Sequence, residues 1–365
     1  MGFAGRIALG IGCVAALAVV LPHARDSGAI LAAQGEPAAL SDSQLRTVAR
    51  PGPADIAREI DAALAADDTE LATSFMELAH ALDINVPADV TGRVEAAVAD
   101  SQTSGHIAHQ FASGLLTGEV SDVASLSGTV AGDLFVFGDV RDVVREGKHL
   151  VAGEEVDRFL LGLACVGLAV TAGTYASIGI AAPARAGLTL VKDARRAGRL
   201  SAGLGAWVGK SAATLVDKPL LERAVADASL LQPSQTVRAI KAAVKLDRAG
   251  EMVAVAKDVG RVGEKAGARA ALDVLKVAEG PADVARAARL AAVKGGQTRA
   301  ILKLLGRGAL VLASGAFSLA SWIFAALCAL FGLISSIKSM TERLSLAYFR
   351  RRRLRRERLR ALAVA

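Results

Sequence analysis

The sequence predicts an all-α integral membrane protein, with helical soluble domains and Ala/Gly-rich apolar helices. Three observations lead there. Mean hydropathy is +0.40 although 22% of residues are charged, so apolar residues must be gathered into uncharged runs set between ordinary polar segments. Outside those runs apolar side chains recur at helical spacing, as at Leu71, Phe75, Leu78, Ala79 and Leu82, which makes one stripe along a helix. No run rich in β-branched residues alternates strictly between apolar and polar, so very little sheet is expected.

The net charge of +7 hides an asymmetry along the 365 residues. Residues 1–24 carry Arg6 alone, residues 25–158 hold 9 basic and 23 acidic side chains, residues 184–308 hold 23 and 11, and residues 338–365 hold 10 and 2. The boundaries of these blocks give the expected organisation. It is a signal peptide or signal anchor over 1–24, a linker over 25–52, an acidic helical domain over 53–158, an apolar segment over 159–183, a basic helical domain over 184–308, a transmembrane helix over 309–337, and an Arg-rich tail over 338–365.

Taken in order, the first apolar run, Ile7–Leu21, follows Arg6 and is short for a spanning helix but typical of a signal-peptide core. Pro22 spoils a small-x-small cleavage site ending at Ala24, and Ala32 with Ala33 offers a later one, so cleavage and retention as an anchor are both open. Pro22 to Ser41 is rich in Ala, Ser, Gly and Pro and reads as a linker. Asp68 is placed to N-cap the helix carrying the Leu71 stripe. Asn85 with Pro87 closes that helix and opens the next, Ala88 to Asp100, with helix continuing past Gly105 to Leu116.

The second apolar run, Phe159 to Pro183, is 25 residues without a charge and long enough to span or to lie buried. Ala169, Gly173, Ser177 and Ala181 fall four apart within it, a ridge of small side chains of the kind that lets another helix approach closely. In the basic block, Ala268 to Glu279, Ala282 to Lys294 behind Gly280 and Pro281, and Thr298 to Leu305 behind Gly295 and Gly296 read as short helix pairs, an α-hairpin or solenoid-like stack. The third run, Ala309 to Ile337, contains Trp322 and Phe324 and is 29 residues long, enough for one tilted crossing.

Topology does not close from these runs alone. The tail carries eight basic residues within 20 of Lys338, against five in 289–308, which favours an inside tail. A cleaved signal followed by a spanning second run would then put the basic block on the wrong side. Either the second run is buried or re-entrant, or the amino terminus starts outside, or the tail departs from the rule.

Candidate chemistry is sparse. Gly203, Gly205, Gly209, Lys210 and Ser211, in GLGAWVGKS, approach a phosphate-binding loop, but Leu204 stands where its first glycine is needed and no strand precedes it. His106 and His109 share a helical face without further ligands of metal-binding spacing. Asp139, Asp142, Glu154, Glu155 and Asp157, interleaved with Arg141, Arg145, Lys148 and Arg158, read as a salt-bridged, solvated face. Cys13, Cys165 and Cys328 form no CxxC or Cys/His pattern. No catalytic, metal or cofactor site is expected, and no cofactor.

The tail YFRRRRLRRERLR comes directly after a span. Arg350, Arg351, Arg352, Arg353, Arg355 and Arg356 are therefore read as contacts to anionic lipid headgroups, with Tyr348 and Phe349 as interfacial anchors. Nucleic acid is the disfavoured partner, because no aromatic residues interleave the arginines.

Gly132 to Leu168, GDLFVFGDVRDVVREGKHLVAGEEVDRFLLGLACVGL, resembles the pre-toxin TG segment of bacterial polymorphic toxins through Gly138, Asp139, Asp142, Gly147, Gly153, Glu155 and Gly167, with Thr171 and Gly173 near its Thr-Gly position. That resemblance implies a part in toxin export or processing. The whole chain also resembles uncharacterised bacterial helical membrane proteins. The combined expectation is a non-enzymatic, membrane-anchored interaction or scaffold protein of a bacterial inner membrane, with the lipid bilayer and a second copy as partners. A pore-forming or toxin-delivery protein is the alternative.

Overall fold

The computed structural model describes residues 3–101, 139, 142–149, 154, 157–174, 182–215, 217–226, 238–239, 242–243, 245, 249–311 and 316–364. Every assigned element among them is helical. The chain divides into two compact units, one made of Met1–Gly35 with Leu312–Ala365, the other of Glu36–Val311.

The first unit consists of α1 (Phe3–Ala32) and α14 (Ala316–Val364). These two helices pack along each other. The expected linker is therefore helical at its start: α1 runs through Pro22 to Ala32, because the Ala-rich sequence after it favours helix and a single proline bends a helix without ending it when neighbouring contacts hold it. The rest of the expected linker is largely helical too, as α2 (Pro37–Gln44) and a π-turn over Leu45–Ala49.

The second unit holds α2 to α13. Its amino-terminal part is α2, α3 (Pro53–Ala65), α4 (Thr69–Ala81) and α5 (Ala88–Ser101). Its middle is α6 (Arg158–Thr174), α7 (Ala182–Arg196), α8 (Ala202–Leu215) and α9 (Lys218–Ala226). Its end is α10 (Gly250–Ala266), α11 (Ala268–Val277), α12 (Pro281–Lys294) and α13 (Thr298–Leu305). The expected helix from Gly105 to Leu116 lies outside the described residues.

One continuous core joins these parts, from Leu45, Phe75 and Leu78 through Phe159 and Val166 to Val274, Leu290 and Ile301. The acidic and basic blocks, expected as separate domains, thus share a single interior. A solenoid-like stack is also not what forms: α13 packs on α4 and α12 on α2, whereas solenoid repeats touch only their neighbours in sequence. Ala309 and Leu310, expected to open the third apolar run, are fully buried in this core, so that run contributes its first residues to the second unit.

Glycine sets how closely some helices meet. A Cβ on Gly187 of α7 would overlap the Ala256 carbonyl of α10, and one on Gly260 of α10 would overlap the Pro183 carbonyl of α7. These reciprocal contacts fix an antiparallel pair whose backbones touch. Gly162 of α6 meets Ala212 of α8 in the same way.

Candidate functional site

Two places in the molecule concentrate unusual physical chemistry: the α1/α14 hairpin, and an ionic cluster around Arg299 in the second unit. Two contacts set the hairpin's register. Gly332 lies against Cys13, where an added Cβ would sit 3.0 Å from Sγ, and the His23 ring stacks on Trp322 at 4.7 Å. Ten residues forward on α1 correspond to ten back on α14, so the pair is antiparallel in constant register.

Carried along, that register brings Arg6 level with Ser339, beside Lys338, and Arg25 level with Ala320. The uncharged stretch of α1, residues 7–24, therefore ends at the same height as the uncharged stretch of α14, which closes at Ile337. Eighteen residues of α1 rise about 27 Å, against about 30 Å of bilayer hydrocarbon. Both helices are long and apolar enough to cross a membrane, and their large apolar side chains face outward: Val19 is 63% exposed, Phe324 69% and Phe331 75%.

Past this level α14 runs on beyond the described residues of α1. Phe3 at the start of α1 falls opposite Glu342, and α14 continues for a further 22 residues to Val364, about 33 Å of helix. Residues 341–353 are exposed throughout, and Arg350 stands about 18 Å beyond Lys338 along the axis. Arg355 and Arg356 are on the same helix.

The ionic cluster is built by residues far apart in sequence. Asp68 N-caps α4 by accepting from the Leu71 amide at 3.1 Å, and it takes both arms of the Arg299 guanidinium, at 2.7 and 2.8 Å. Arg299 donates its Nε to Asp273 at 2.9 Å, and Arg269 donates to Asp68 at 3.0 Å. Burial works to raise the Asp68 pKa. The Arg299 fork, the Leu71 amide and Arg269 overcome it and hold the carboxyl down at about 2. Burial likewise works to deprotonate Arg299, and Asp68 with Asp273 reverses that and raises its pKa.

Other pairs join the same two blocks: Lys294 to Asp42 at 2.6 Å and the Ser74 hydroxyl to the Gly296 carbonyl at 2.5 Å. The opposite charges of the two blocks are thus partly spent on each other. Two clefts flank Arg299. One, of about 370 Å³, is lined by Glu59, Arg199, Lys276 and Lys303 beside the cluster. The other, of about 420 Å³, is lined by Asp67, Glu70, Thr73 and Glu77.

The acidic residues before α6 form a second cluster, which the sequence presented as a solvated face. Of its described members Asp139, Asp142 and Glu146 are largely buried, whereas Glu154 is exposed, 3.5 Å from His149, as a solvated face would have it. Lys192 of α7 is clamped by Asp139 at 2.5 Å and Asp142 at 3.4 Å, and Glu146 accepts from the Asp157 amide at 3.0 Å. Asp157 caps α6 by accepting from the amides of Phe159 and Leu160. Burial raises the Asp139 pKa against the pull of Lys192. Burial, with Asp139 nearby, pushes the Cys165 thiol up to about 12. These carboxylates face inward because they fasten an uncharged helix, α6, into the core; Glu155 lies outside the described residues.

Of the remaining sequence candidates, Gly209, Lys210 and Ser211 lie in the interior of α8, where backbone amides are spent on helix hydrogen bonds rather than held open for a phosphate, while Gly205 donates to the Ser201 carbonyl and Gly203, in the first turn, lies against the Glu279 carbonyl. Ala169 and Gly173 fall on α6, while Ser177, Ala181, His106 and His109 lie outside the described residues. Among the described residues no three His, Cys, Asp or Glu side chains stand close enough to share a metal ion.

Comparison with known families, characterised proteins and solved structures finds no match. The site is therefore read from its own geometry. Sequence reasoning missed Arg299 altogether, and its partner Asp68 was recognised as a helix cap alone. The two are 231 residues apart, and only the excess of opposite charge in the two blocks hinted that they belong together.

Proposed function

We propose that this chain is a membrane-anchored interaction protein whose helical unit, Glu36–Val311, is carried on a two-helix hairpin crossing the bilayer twice. The observation that carries the reading is the hairpin's register. Two uncharged stretches from opposite ends of the chain come to an end at the same level, beside Arg6 and Lys338, with outward-facing apolar side chains along both.

Two crossings put both chain ends on one side, and Arg6, Lys338 and the tail arginines mark that side as cytoplasmic. The unit between the crossings then lies outside, as in a bacterial inner-membrane protein facing the periplasm. This reading removes the topological conflict in the sequence, because α6 is not asked to cross. It also treats α1 as a retained anchor, since α1 is the partner along which α14 packs. Burial of α6 within its own unit supports display of a stable helical domain over pore formation, which would need α6 to leave that interior.

Alkaline carbonate extraction of membranes tests the anchoring. The chain is expected to stay in the membrane pellet, and its release into the supernatant would contradict the reading.

A further inference from the structure

We propose that the Arg-rich end of α14 is a nucleic-acid-binding arm, which grips phosphates rather than the headgroups of the anchoring membrane. The proposal rests on the hairpin reading for where the bilayer ends, and adds a partner to it.

Three features separate this arm from a lipid contact. The first is reach. Headgroups extend about 5–7 Å beyond the hydrocarbon on each side, and charge is screened over about 8 Å at physiological salt. Arg350 already lies about 18 Å past Lys338 on an unbroken helix, with later arginines further out.

The second feature is distribution. A helix lying on a membrane needs an apolar face. Arg350, Arg351, Arg352 and Arg353 are consecutive and all exposed, and at 100° per residue they occupy every side of one helical turn. A flat surface satisfies one side of such a turn. A groove walled by phosphates satisfies several.

The third feature is charge density. Residues 350–360 hold eight arginines and one glutamate, about one net positive charge per 2.4 Å of helix. A DNA duplex carries one negative charge per about 1.7 Å of axis, and the shorter rise of an A-form RNA duplex packs its phosphates at least as densely. Like charges three and four apart on a helix destabilise it, so neutralisation by phosphate oxygens, which suit the planar guanidinium fork, also stabilises the arm. Tyr348 and Phe349 stand exposed at its base with their rings edge to face, 5.8 Å apart, and offer a stacking surface for an unpaired base.

The test uses the full chain in nanodiscs of phosphatidylcholine alone, with fluorescence anisotropy of a labelled 20-base-pair RNA duplex across a salt series. The wild type is expected to bind. Changing Arg350, Arg351, Arg352 and Arg353 together to Gln is expected to weaken binding at least tenfold and to flatten the log–log salt slope by about 3 to 4. Absence of binding, or equal binding by the variant, overturns the proposal. So does loss of RNA binding when phosphatidylglycerol is added to the discs, which assigns the arm to lipid, or equal competition by polyglutamate, which assigns it to acidic proteins. Failure of the hairpin reading shows separately, as protection of a cysteine placed at Val293, exposed on α12, from a membrane-impermeant thiol reagent in intact cells.

Discussion

α6 and the apolar part of α14 start from the same signal, a long uncharged run, and end in opposite surroundings. In α6, Phe159 and Leu163 are almost wholly buried and Cys165 and Val166 fully so, whereas in α14 Phe324, Phe331 and Ile334 are more than half exposed. Hydropathy counts apolar groups and says nothing about what covers them. The distinguishing features are local. α6 carries Gly162 and Gly167, against which Ala212 and Asp139 press, and Asp157 caps its first turn. α14 carries bulky residues along most of its length and meets one neighbour, α1, within its unit.

The largest effect expected from this contrast is all-or-none. Removing residues 1–35 and 312–365 together should turn a membrane-bound chain into a soluble one, read by centrifugation of lysates. If the shortened chain still sediments with membranes, α6 is the span and the contrast fails.

Matched charge insertions sharpen the same comparison. Val166→Asp buries an unpaired carboxylate and should destabilise the unit by about 4 kcal/mol or more, seen in chemical denaturation. Ile334→Asp should leave that unfolding transition unchanged and lower the membrane-inserted fraction.

A smaller effect is expected at the cluster that closes the unit. Arg299→Met leaves Asp68 and Asp273 without their shared cation and should cost about 3 kcal/mol in urea denaturation at neutral pH. Acid reports on the same lock. The Asp68 pKa is about 2 in the folded chain, below its unfolded value of about 3.9, so its stabilisation is complete above about pH 4 and is lost as pH falls toward 2. Arg299→Met should flatten that part of the stability profile, and an unchanged profile would remove Asp68 from the account.

Much of the local structure was legible in the residues. The Asp68 cap and the Leu71 stripe define α4, and Pro281 with Gly295 and Gly296 punctuates α12 and α13 at the expected places, because caps, prolines and glycines act within one turn of themselves. The long-range features were not. Nothing within a turn of Asp68 names Arg299, nothing in the run from Phe159 states that α7 and α8 will sheath it, and the uninterrupted helix through Lys338 into the arginines has no local marker. The hairpin needed both ends of the chain at once: Arg6 and Lys338 look unrelated until Cys13 and Gly332 set the register.

The most direct test of the central claim is the sidedness of two positions in a chain with Cys13, Cys165 and Cys328 replaced. Val293, exposed on α12, and Ser345, exposed on α14 beyond Lys338, are each changed to Cys and treated in intact cells with a membrane-impermeant thiol reagent. The hairpin account predicts labelling at position 293 from outside and at position 345 only after lysis. Protection of position 293 in intact cells, or the same behaviour at both positions, would contradict it.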